Sequence, residues 1–236
     1  MAKSRIKKDS HTDKLVEEIR SLGQTYGTNH VFSTFLELTA LSLSVETDPA
    51  CPEERKKRRE ELEAGMEQSE ATAYARMMAL LYMAVREYED DPMDILGTVY
   101  HGLRLNNEWN GQFFTPDHIS RLMAMITGLP PEDNDGGVIT INEPACGSGT
   151  LVIGAVWAMK QKAFDYQSKT LFIAQDIDIR CVWMTYIQLC LYKVPAVVIH
   201  GNALTVEEWS RWYTPYAIKL LARSERLRPP EAEATA

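Results

Sequence analysis

The stretch from residue 138 to residue 200 alternates two kinds of apolar run, and this alternation constrains the fold more than any other feature. VITINE, TLFIAQD and AVVIH are short and rich in β-branched residues, which is typical of buried strands. GTLVIGAVWAMKQKAF and DIRCVWMTYIQLCLY lie between them, are longer and have helical spacing. Strands that alternate with helices predict an α/β fold with a parallel, doubly wound sheet.

The chain before this stretch predicts helices alone, and we expect three regions. A helical N-terminal region covers residues 1–106, an α/β cofactor-binding domain covers 107–222, and a polar, proline-containing tail that we expect to be disordered covers 223–236. Helices are expected at 13–22 and 28–44, in the charged run 54–68 and in the apolar run 74–90. The boundary between the first two regions is expected near 106–111, where a polar, glycine-containing segment interrupts the pattern.

Two helix starts carry recognisable capping patterns. Asp91 followed by Pro92 predicts an N-cap and a first helical residue. Thr115 followed by Pro116 predicts the same arrangement, with Asp117 in the first turn.

Charge and cysteine content exclude several classes of protein. The formal net charge is -8 with a sequence pI of about 5.2, whereas a free-standing DNA-binding protein usually has a basic surplus. Contacts with nucleic acid must therefore come from a local basic face or a basic partner.

The four cysteines form no C-x-x-C pair, which argues against zinc, and no metal site is expected. Without a signal-peptide pattern or an apolar run long enough to span a membrane, we expect a cytoplasmic protein.

The segment NEPACGSGT, residues 142–150, is the first candidate for a binding site. It joins a strand to a helix, and its two glycines allow a ligand to approach the backbone near the free N–H groups of the helix. The glycine spacing does not fit a dinucleotide-binding G-x-G-x-x-G, and there is no G-K-[ST] of a P-loop. Taken alone, the segment fits a tight turn without a ligand equally well.

Polar residues follow the next two strands. Asp176 ends TLFIAQD, where a carboxylate can accept hydrogen bonds from both hydroxyls of a ribose, and Asp178 is placed to cap the following helix. Asn202 follows AVVIH and has both a donor and an acceptor for the edge of an adenine. An ordinary turn aspartate and a Gly-Asn turn are the alternatives. Three such features at the carboxyl ends of successive strands favour a ligand site, because ligands of open α/β sheets bind there.

EPACGSG, residues 143–149, and GQFFTP, residues 111–116, together resemble motifs of N6-adenine DNA methyltransferases. The similarity covers roughly residues 75–204 and is closest to the modification subunit of type I restriction-modification systems. It implies a Rossmann-like S-adenosylmethionine-dependent methyltransferase fold, preceded by an all-helical region and here with a truncated parallel sheet. It also implies S-adenosylmethionine as the cofactor and DNA as the substrate.

The resemblance assigns a role to each matching residue. Glu143 is expected to bind the methionine ammonium, Gly147 to Gly149 to accommodate its carboxylate, Asp176 to hold the ribose and Asn202 the adenine. Residues 113–116 are expected to lie against the cofactor, although GQFFTP as a pattern also fits a capped helix start with two core phenylalanines. The full expected cofactor set is Phe113, Phe114, Thr115, Pro116, Glu143, Pro144, Ala145, Cys146, Gly147, Ser148, Gly149, Asp176, Ile177 and Asn202.

The resemblance also requires [DN]-P-P-[FYW], which binds the target base, and the 236 residues contain no match. If YAIKLL, residues 216–221, formed the fourth strand, Ala222, Arg223 and Ser224 would occupy the catalytic position, so catalytic residues stay unassigned. VITINE would then have few neighbours. Its free edge is closed by YAIKLL, or by another chain, or the sheet ends earlier than in the family.

Two functions remain. The first is an adenine-N6 DNA methyltransferase of the type I modification-subunit kind that needs a partner, such as a specificity subunit, a second methyltransferase subunit or another copy, for catalysis and DNA recognition. The second is a catalytically inactive, methyltransferase-like protein that binds S-adenosylmethionine or partner proteins. A nicotinamide-dependent oxidoreductase is disfavoured by the glycine spacing and by the absence of a catalytic Lys, Tyr or His grouping.

Overall fold

The computed structural model describes residues 10–105, 114–130 and 137–226. The predicted boundary near 106–111 therefore lies outside the described residues, as do Phe113 and the last ten residues of the expected tail. In chain order the helices are α1 His11–Tyr26, α2 Thr28–Thr47, α3 Glu53–Ala64, α4 Gln68–Glu87, α5 Ile95–Gly102, α6 Asp117–Ile126, α7 Thr150–Gln161, α8 Tyr166–Lys169, α9 Ile179–Leu191 and α10 Pro215–Arg226.

The sheet has four strands in the order β1-β2-β3-β4: β1 Ile139–Glu143, β2 Thr170–Asp176, β3 Ala196–Asn202 and β4 Glu207–Tyr213. The first three are parallel and coincide with the predicted strands, and α7 and α9 lie between them in the chain, so the predicted α/β class is confirmed. β4 is antiparallel to β3, with a register irregularity between His200 and Gly201. The sheet is therefore mixed and not purely parallel.

The alternative in which YAIKLL forms the fourth strand is wrong. That segment belongs to α10, and its buried residues Ala217 and Leu220 have the three-residue spacing of a helix face. Thr214 starts this helix, because its carbonyl accepts from the amide of Ile218 and its hydroxyl accepts from the amide of Ala217. The helix reaches Arg226, past the end expected for the domain.

β4 adds to the far side of β3, so it leaves β1 at an edge. Trp212 of β4 is buried against the ring of Tyr186 in α9, with the ring centroids 5.4 Å apart. Among the described residues, β1 has β2 as its single strand neighbour. Of the alternatives for this edge, closure by YAIKLL is thus excluded.

Two predicted helix starts are shifted. α5 begins at Ile95, and its N-cap is Asp94, whose side chain accepts from the amide of Gly97, so Asp91 is not the cap and Pro92 precedes the helix. α6 begins at Asp117 with Pro116 at the cap position, so Thr115 lies one residue outside the cap position. A proline fixes φ at a helical value but also suits the extended residue just before a helix.

The helical region and the α/β region share one hydrophobic core. Phe35 of α2 and Val85 of α4 belong to the same buried cluster as Tyr186 and Val198. Arg55 of α3 also joins the two regions: its guanidinium lies 3.6 Å from the centre of the Trp212 ring and donates to the carbonyl of Arg211 at 2.6 Å. Burial lowers the pKa of this guanidinium. Within the described residues, no helix is long and apolar enough to cross a membrane.

Candidate cofactor site

The segment between β1 and α7 is a loop whose two glycines have positive φ. Gly147 has φ 54° and Gly149 has φ 95°, values that favour glycine over any residue with a Cβ. A Cβ on Gly147 would lie 3.1 Å from the Phe114 ring, and one on Gly149 would lie 3.1 Å from Oγ1 of Thr185. Conformation and close packing therefore both require glycine at these positions.

Hydrogen bonds to its backbone groups fix the loop to β2 and α9. The amide of Cys146 donates to the carbonyl of Gln175 at 2.8 Å, and the hydroxyl of Thr185 donates to the carbonyl of Gly147 at 2.9 Å. Cys146 itself is buried, and this burial raises the pKa of its thiol. The thiol is therefore a packing group and not a reactive one.

The segment 114–116 lies against this loop, although it is separated from it by more than twenty residues of chain. Phe114 and Thr115 line a cavity of about 80 Å³ together with Ala145, Cys146, Gly147, Ser148, Thr150 and Leu151. The same two residues, with Pro116, line a neighbouring cavity of about 130 Å³ beside Asp94 and His101. The structure thus brings together the described parts of the two sequence motifs on which the resemblance rests; Gly111, Gln112 and Phe113 lie outside the described residues.

Asp176, at the end of β2, reaches the loop. Its Oδ2 accepts from the amide of Gly147 at 2.9 Å, and its Oδ1 accepts from the amide of Asp178 at 2.9 Å. Asp178 caps α9 by accepting from the amide of Arg180, as predicted. Because each carboxylate oxygen has a second lone pair, Asp176 can hold the loop and still accept from a ligand hydroxyl.

Glu143, at the end of β1, is a half-buried carboxylate with no cationic partner among the described residues. Its Oε1 accepts from the amide of Ala145 at 3.1 Å. Burial raises its pKa, the amide of Ala145 opposes that shift, and the charge of Asp176 adds to it. Two neighbouring carboxylates without a cation form a site that an ammonium group would neutralise.

Asn202 stands at the carboxyl end of β3. Its Oδ1 accepts from the amides of Leu204 at 3.0 Å and Thr205 at 3.4 Å, so this acceptor closes a turn, whereas its NH₂ makes no hydrogen bond within the described part of the chain. Ile177 directly follows β2, its side chain is 59% exposed, and its carbonyl lies 3.2 Å from Nε2 of His200 in β3. An exposed apolar side chain after β2 and an amide at the end of β3 are groups that suit the face and the edge of an aromatic base.

A buried hydrogen-bond network behind the loop was not predicted. Asp94 is 4% exposed, and its carboxylate accepts from the amide of Gly97, from Nε2 of Gln188 at 2.9 Å, from the Thr150 hydroxyl at 2.6 Å and from the Ser148 hydroxyl. Gln188 also donates to the carbonyl of Ser148 at 2.8 Å. The helical region therefore positions the residues on both sides of Gly149.

A signal for Asp94 existed in the sequence DILG. An aspartate directly before an apolar run is a helix N-cap pattern. The glycine three residues later is needed, since a Cβ on Gly97 would lie 2.1 Å from Oδ2 of Asp94. Gln188 has no such signal, because a glutamine inside an apolar helix predicts nothing about its partners.

The donors and acceptors of this site fit S-adenosylmethionine. The ammonium matches the uncompensated carboxylate of Glu143, and the two ribose hydroxyls match the acceptors of Asp176. The methionine carboxylate matches the start of α7, where no side chain caps the helix. Among the described residues, no group of three or more His, Cys, Asp or Glu side chains is placed to hold a metal ion.

Comparisons with known proteins give the family of this chain. Residues 91–219 match the family described as N-6 DNA Methylase. The methylase subunit of the type I restriction enzyme MpnII of Mycoplasma pneumoniae is 27% identical over 140 residues, which are 56% of this chain and 24% of that protein. The chain thus spans about a quarter of the length of this curated relative.

Two solved structures are also similar. The type I restriction-modification methyltransferase subunit from Streptococcus thermophilus has a TM-score of 0.42 and 16% identity, covering 85% of this chain and 59% of that one. A putative class I S-adenosylmethionine-dependent methyltransferase from Listeria monocytogenes has a TM-score of 0.44 and 14% identity, covering 82% and 54%. Because the family match alone covers more than half of the 236 residues, the chain belongs to the N-6 DNA methylase family, whose cofactor is S-adenosylmethionine.

Proposed function

We propose that this chain binds S-adenosylmethionine at the carboxyl ends of β1, β2 and β3. It would then act as the cofactor-binding part of a DNA methyltransferase of the type I modification-subunit kind, which modifies adenine at N6. One observation carries the proposal: Phe114 and Thr115 lie against the glycine loop, to which Asp176 is also bonded, although the three segments lie far apart in the chain. A tight turn without a ligand gives no reason for this convergence.

The proposed roles follow from the contacts. Glu143 binds the ammonium, the loop from Pro144 to Gly149 and the start of α7 receive the carboxylate, and Asp176 holds the ribose hydroxyls. Asn202 and Ile177 contact the adenine edge and face, and Phe114 to Pro116 cover the loop. When bound, S-adenosylmethionine supplies an electrophilic methyl group, and the residues of this chain orient it.

We propose that catalysis and DNA binding involve a partner. None of the 236 residues forms the [DN]-P-P-[FYW] that binds an adenine turned out of the duplex, so another polypeptide segment must supply that contact. The net charge of -8 also disfavours binding of DNA phosphates by this chain without a partner. A basic partner, such as a specificity subunit, meets the need for phosphate contacts, and a second methyltransferase subunit meets the need for the base-binding segment. DNA as the substrate is consistent with the expected cytoplasmic location.

Calorimetric titration with S-adenosylmethionine tests the binding site. Gly147→Val should abolish measurable heat, because a side chain there meets the Phe114 ring and opposes the positive φ. Gly137→Val is the matched control, since a Cβ at Gly137 has nothing within 4 Å and it should bind as the wild type does. Unchanged binding by Gly147→Val, with a folded circular dichroism spectrum, would show that the pocket is wrongly assigned.

The second function, a cofactor-binding protein without catalysis, is favoured by one observation, the missing base-binding motif. Incubation of the chain with tritiated S-adenosylmethionine and mixed DNA separates the two functions. Transfer of label to adenine N6 by the pure chain would exclude the inactive protein. Transfer that appears only after a partner is added would support the proposal as stated.

A further inference from the structure

The ring of Phe114 lies between α5 of the helical region and the loop that joins β1 to α7, which we call the cofactor loop. On one side the ring faces Gly147, since a Cβ on that glycine would lie 3.1 Å from its Cδ1. On the other side its centroid is 4.8 Å from that of Tyr100 and 5.9 Å from that of His101, both in the last turn of α5. The ring planes are inclined at 60° and 70°, which are arrangements that aromatic pairs favour. Phe114 therefore connects the end of α5 with the cofactor loop.

A cavity separates the middle of this segment from α5. It has a volume of about 130 Å³ and is bounded by residues 114–117 and by one face of α5, which consists of Asp94, Gly97, Thr98 and His101. Beyond the cavity, the amide of Asp94 donates to Oδ1 of Asp117, the first residue of α6, at 3.0 Å. The segment is thus held to α5 at Asp117 and at Phe114, with the cavity between the two contacts.

Tyr100 is a rigid support for the Phe114 ring. Its side chain is fully buried, and it also packs against Phe32 of α2, with the ring centroids 6.3 Å apart. His101 is exposed and meets the Phe114 ring at its edge. Close packing is what fixes side chains in a protein interior, so a ring that borders a cavity can turn into it unless a neighbour holds it. The buried ring of Tyr100 is in the position to do this.

We infer that Tyr100 is a positioning residue of the cofactor site and acts through Phe114. Its ring holds the Phe114 ring against Gly147, and this contact keeps the cofactor loop in the conformation in which the Gly147 amide donates to Asp176. A side chain without a ring at position 100 leaves space beside Phe114, which can then turn away from the loop. The effect on cofactor affinity rests on the proposed function, whereas the effect on the loop itself does not.

Hydrogen exchange without cofactor tests the effect on the loop. The amides of Gly147 and Gly149 are hydrogen-bonded to Asp176 and to the carbonyl of Cys146, so their exchange reports opening of the loop. In Tyr100→Leu these amides should exchange at least about tenfold faster than in the wild type, relative to amides of β3 in the same variant, because the loop loosens more than the sheet does.

Two variants are controls for this measurement. Phe32→Leu removes a ring of the same buried cluster that is one place further from the loop, and Tyr100→Phe keeps the ring at position 100. In both, the relative exchange of the loop should stay within about twofold of the wild type. If Tyr100→Leu does not fold, Tyr100→Met replaces it and Phe32→Met becomes the control, since the longer side chain fills more of the buried space.

Calorimetric titration with S-adenosylmethionine tests the effect on affinity. Tyr100→Leu should raise Kd about tenfold, while Phe32→Leu and Tyr100→Phe should stay within about twofold of the wild type. Phe114→Leu, combined with Tyr100→Leu, shows whether the effect passes through Phe114. In the Phe114→Leu background, Tyr100→Leu should not raise Kd further, because residues that act through one contact are not additive.

The two measurements distinguish failure of the inference from failure of the proposed function. Equal acceleration of loop exchange in Tyr100→Leu and Phe32→Leu would overturn the inference, and so would additive increases in Kd in the double variant. A wild type that bound no S-adenosylmethionine would overturn the proposed function, and loop exchange would still decide whether Tyr100 positions the loop. A wild type that bound the cofactor, with an unchanged Kd in Tyr100→Leu, would overturn the inference alone.

Discussion

Removal of the Asp94 carboxylate should destabilise the fold and weaken cofactor binding together. The carboxylate is buried, and it accepts from the Gly97 amide, from Gln188 and from the hydroxyls of Ser148 and Thr150. It therefore connects α5 with the loop that we assign to the cofactor. Asp94→Ala removes all four acceptor contacts at once.

The expected loss in the free energy of unfolding is smaller than the sum for four independent hydrogen bonds. Each hydrogen bond to a charged group contributes about 1.5 to 3 kcal/mol. Ser148 and Thr150 can still pair with each other, since their hydroxyl oxygens are 3.1 Å apart, and Gln188 keeps the Ser148 carbonyl. The amide of Gly97 keeps no partner. We therefore expect Asp94→Ala to lower the free energy of unfolding by about 3 to 5 kcal/mol.

Asp94→Asn removes the charge of the side chain and keeps its shape. Its carbonyl oxygen can accept from Gly97 and Gln188, and its NH₂ can donate to the hydroxyl oxygens of Ser148 and Thr150. The loss should then be about 1 to 2 kcal/mol. For S-adenosylmethionine we expect Kd to rise about tenfold in Asp94→Ala, which corresponds to about 1.4 kcal/mol, and less in Asp94→Asn.

Urea unfolding and calorimetric titration provide the two readouts. The control is Asp165→Ala, which removes the exposed N-cap of the short helix α8 and should cost at most about 1 kcal/mol. If Asp94→Ala unfolded within 1 kcal/mol of the wild type, the network would not hold the loop. If it were destabilised with an unchanged Kd, Asp94 would support the fold without positioning the cofactor loop.

Three further predictions concern other groups. Burial raises the pKa of Glu143 above the usual 4.5, and an ammonium binds only the ionised carboxylate. Titrations from about pH 8 to pH 5 should therefore show weaker S-adenosylmethionine binding as the pH falls, while the same protonation stabilises the unliganded chain. Glu143→Gln should bind weakly at every pH, and an equal pH dependence in that variant would contradict the assignment. Arg55→Ala should lower the free energy of unfolding, measured in urea, by about 2 to 4 kcal/mol. Arg55→Lys should recover less than half of this loss, because an ammonium cannot reproduce the planar contacts of the guanidinium with the carbonyl of Arg211 and the Trp212 ring. Burial raises the pKa of the Cys146 and Cys181 thiols, so a thiol reagent at about pH 8 should label them only at the rate of unfolding, and fast labelling of the folded chain would show that the loop opens.

The parts of the fold that the sequence predicts are those in which local pattern and buried environment agree. β2 matches its predicted limits, because the apolar run LFIA is typical of a parallel strand that is covered on both faces. α7 and α9 were predicted for the same reason, since each has a wide apolar face. The positions of Gly147 and Gly149 in a strand-to-helix loop also followed from sequence, because few other local structures need two such glycines.

The parts that were not predicted depend on contacts distant in sequence. EEWSRWY has no clear apolar alternation, and it becomes β4 because Trp212 packs on Tyr186 and the strand pairs with β3. YAIKLL has the composition of a strand or of a helix, and Thr214 and the burial of Ala217 decide for a helix. The carboxylate of Asp94 meets Gln188 across 94 residues of chain, a pairing that no local pattern encodes.

The cofactor loop should be held independently of the open edge beside it. Cys146 is hydrogen-bonded to β2, Thr185 of α9 donates to the loop carbonyl of Gly147, and Asp94, the N-cap of α5, accepts from the residues on both sides of Gly149. Each contact therefore comes from the side of β1 opposite to its free edge or from behind the loop. A change on the exposed face of α6, which adjoins that edge, should therefore leave the loop intact. Ile126 of α6 is 75% exposed, and we expect Ile126→Glu to bind S-adenosylmethionine with a Kd within about twofold of the wild type, a difference of less than about 0.5 kcal/mol. If Ile126→Glu no longer bound the cofactor, yet unfolded in urea as the wild type does, the surface beside the open edge would shape the site.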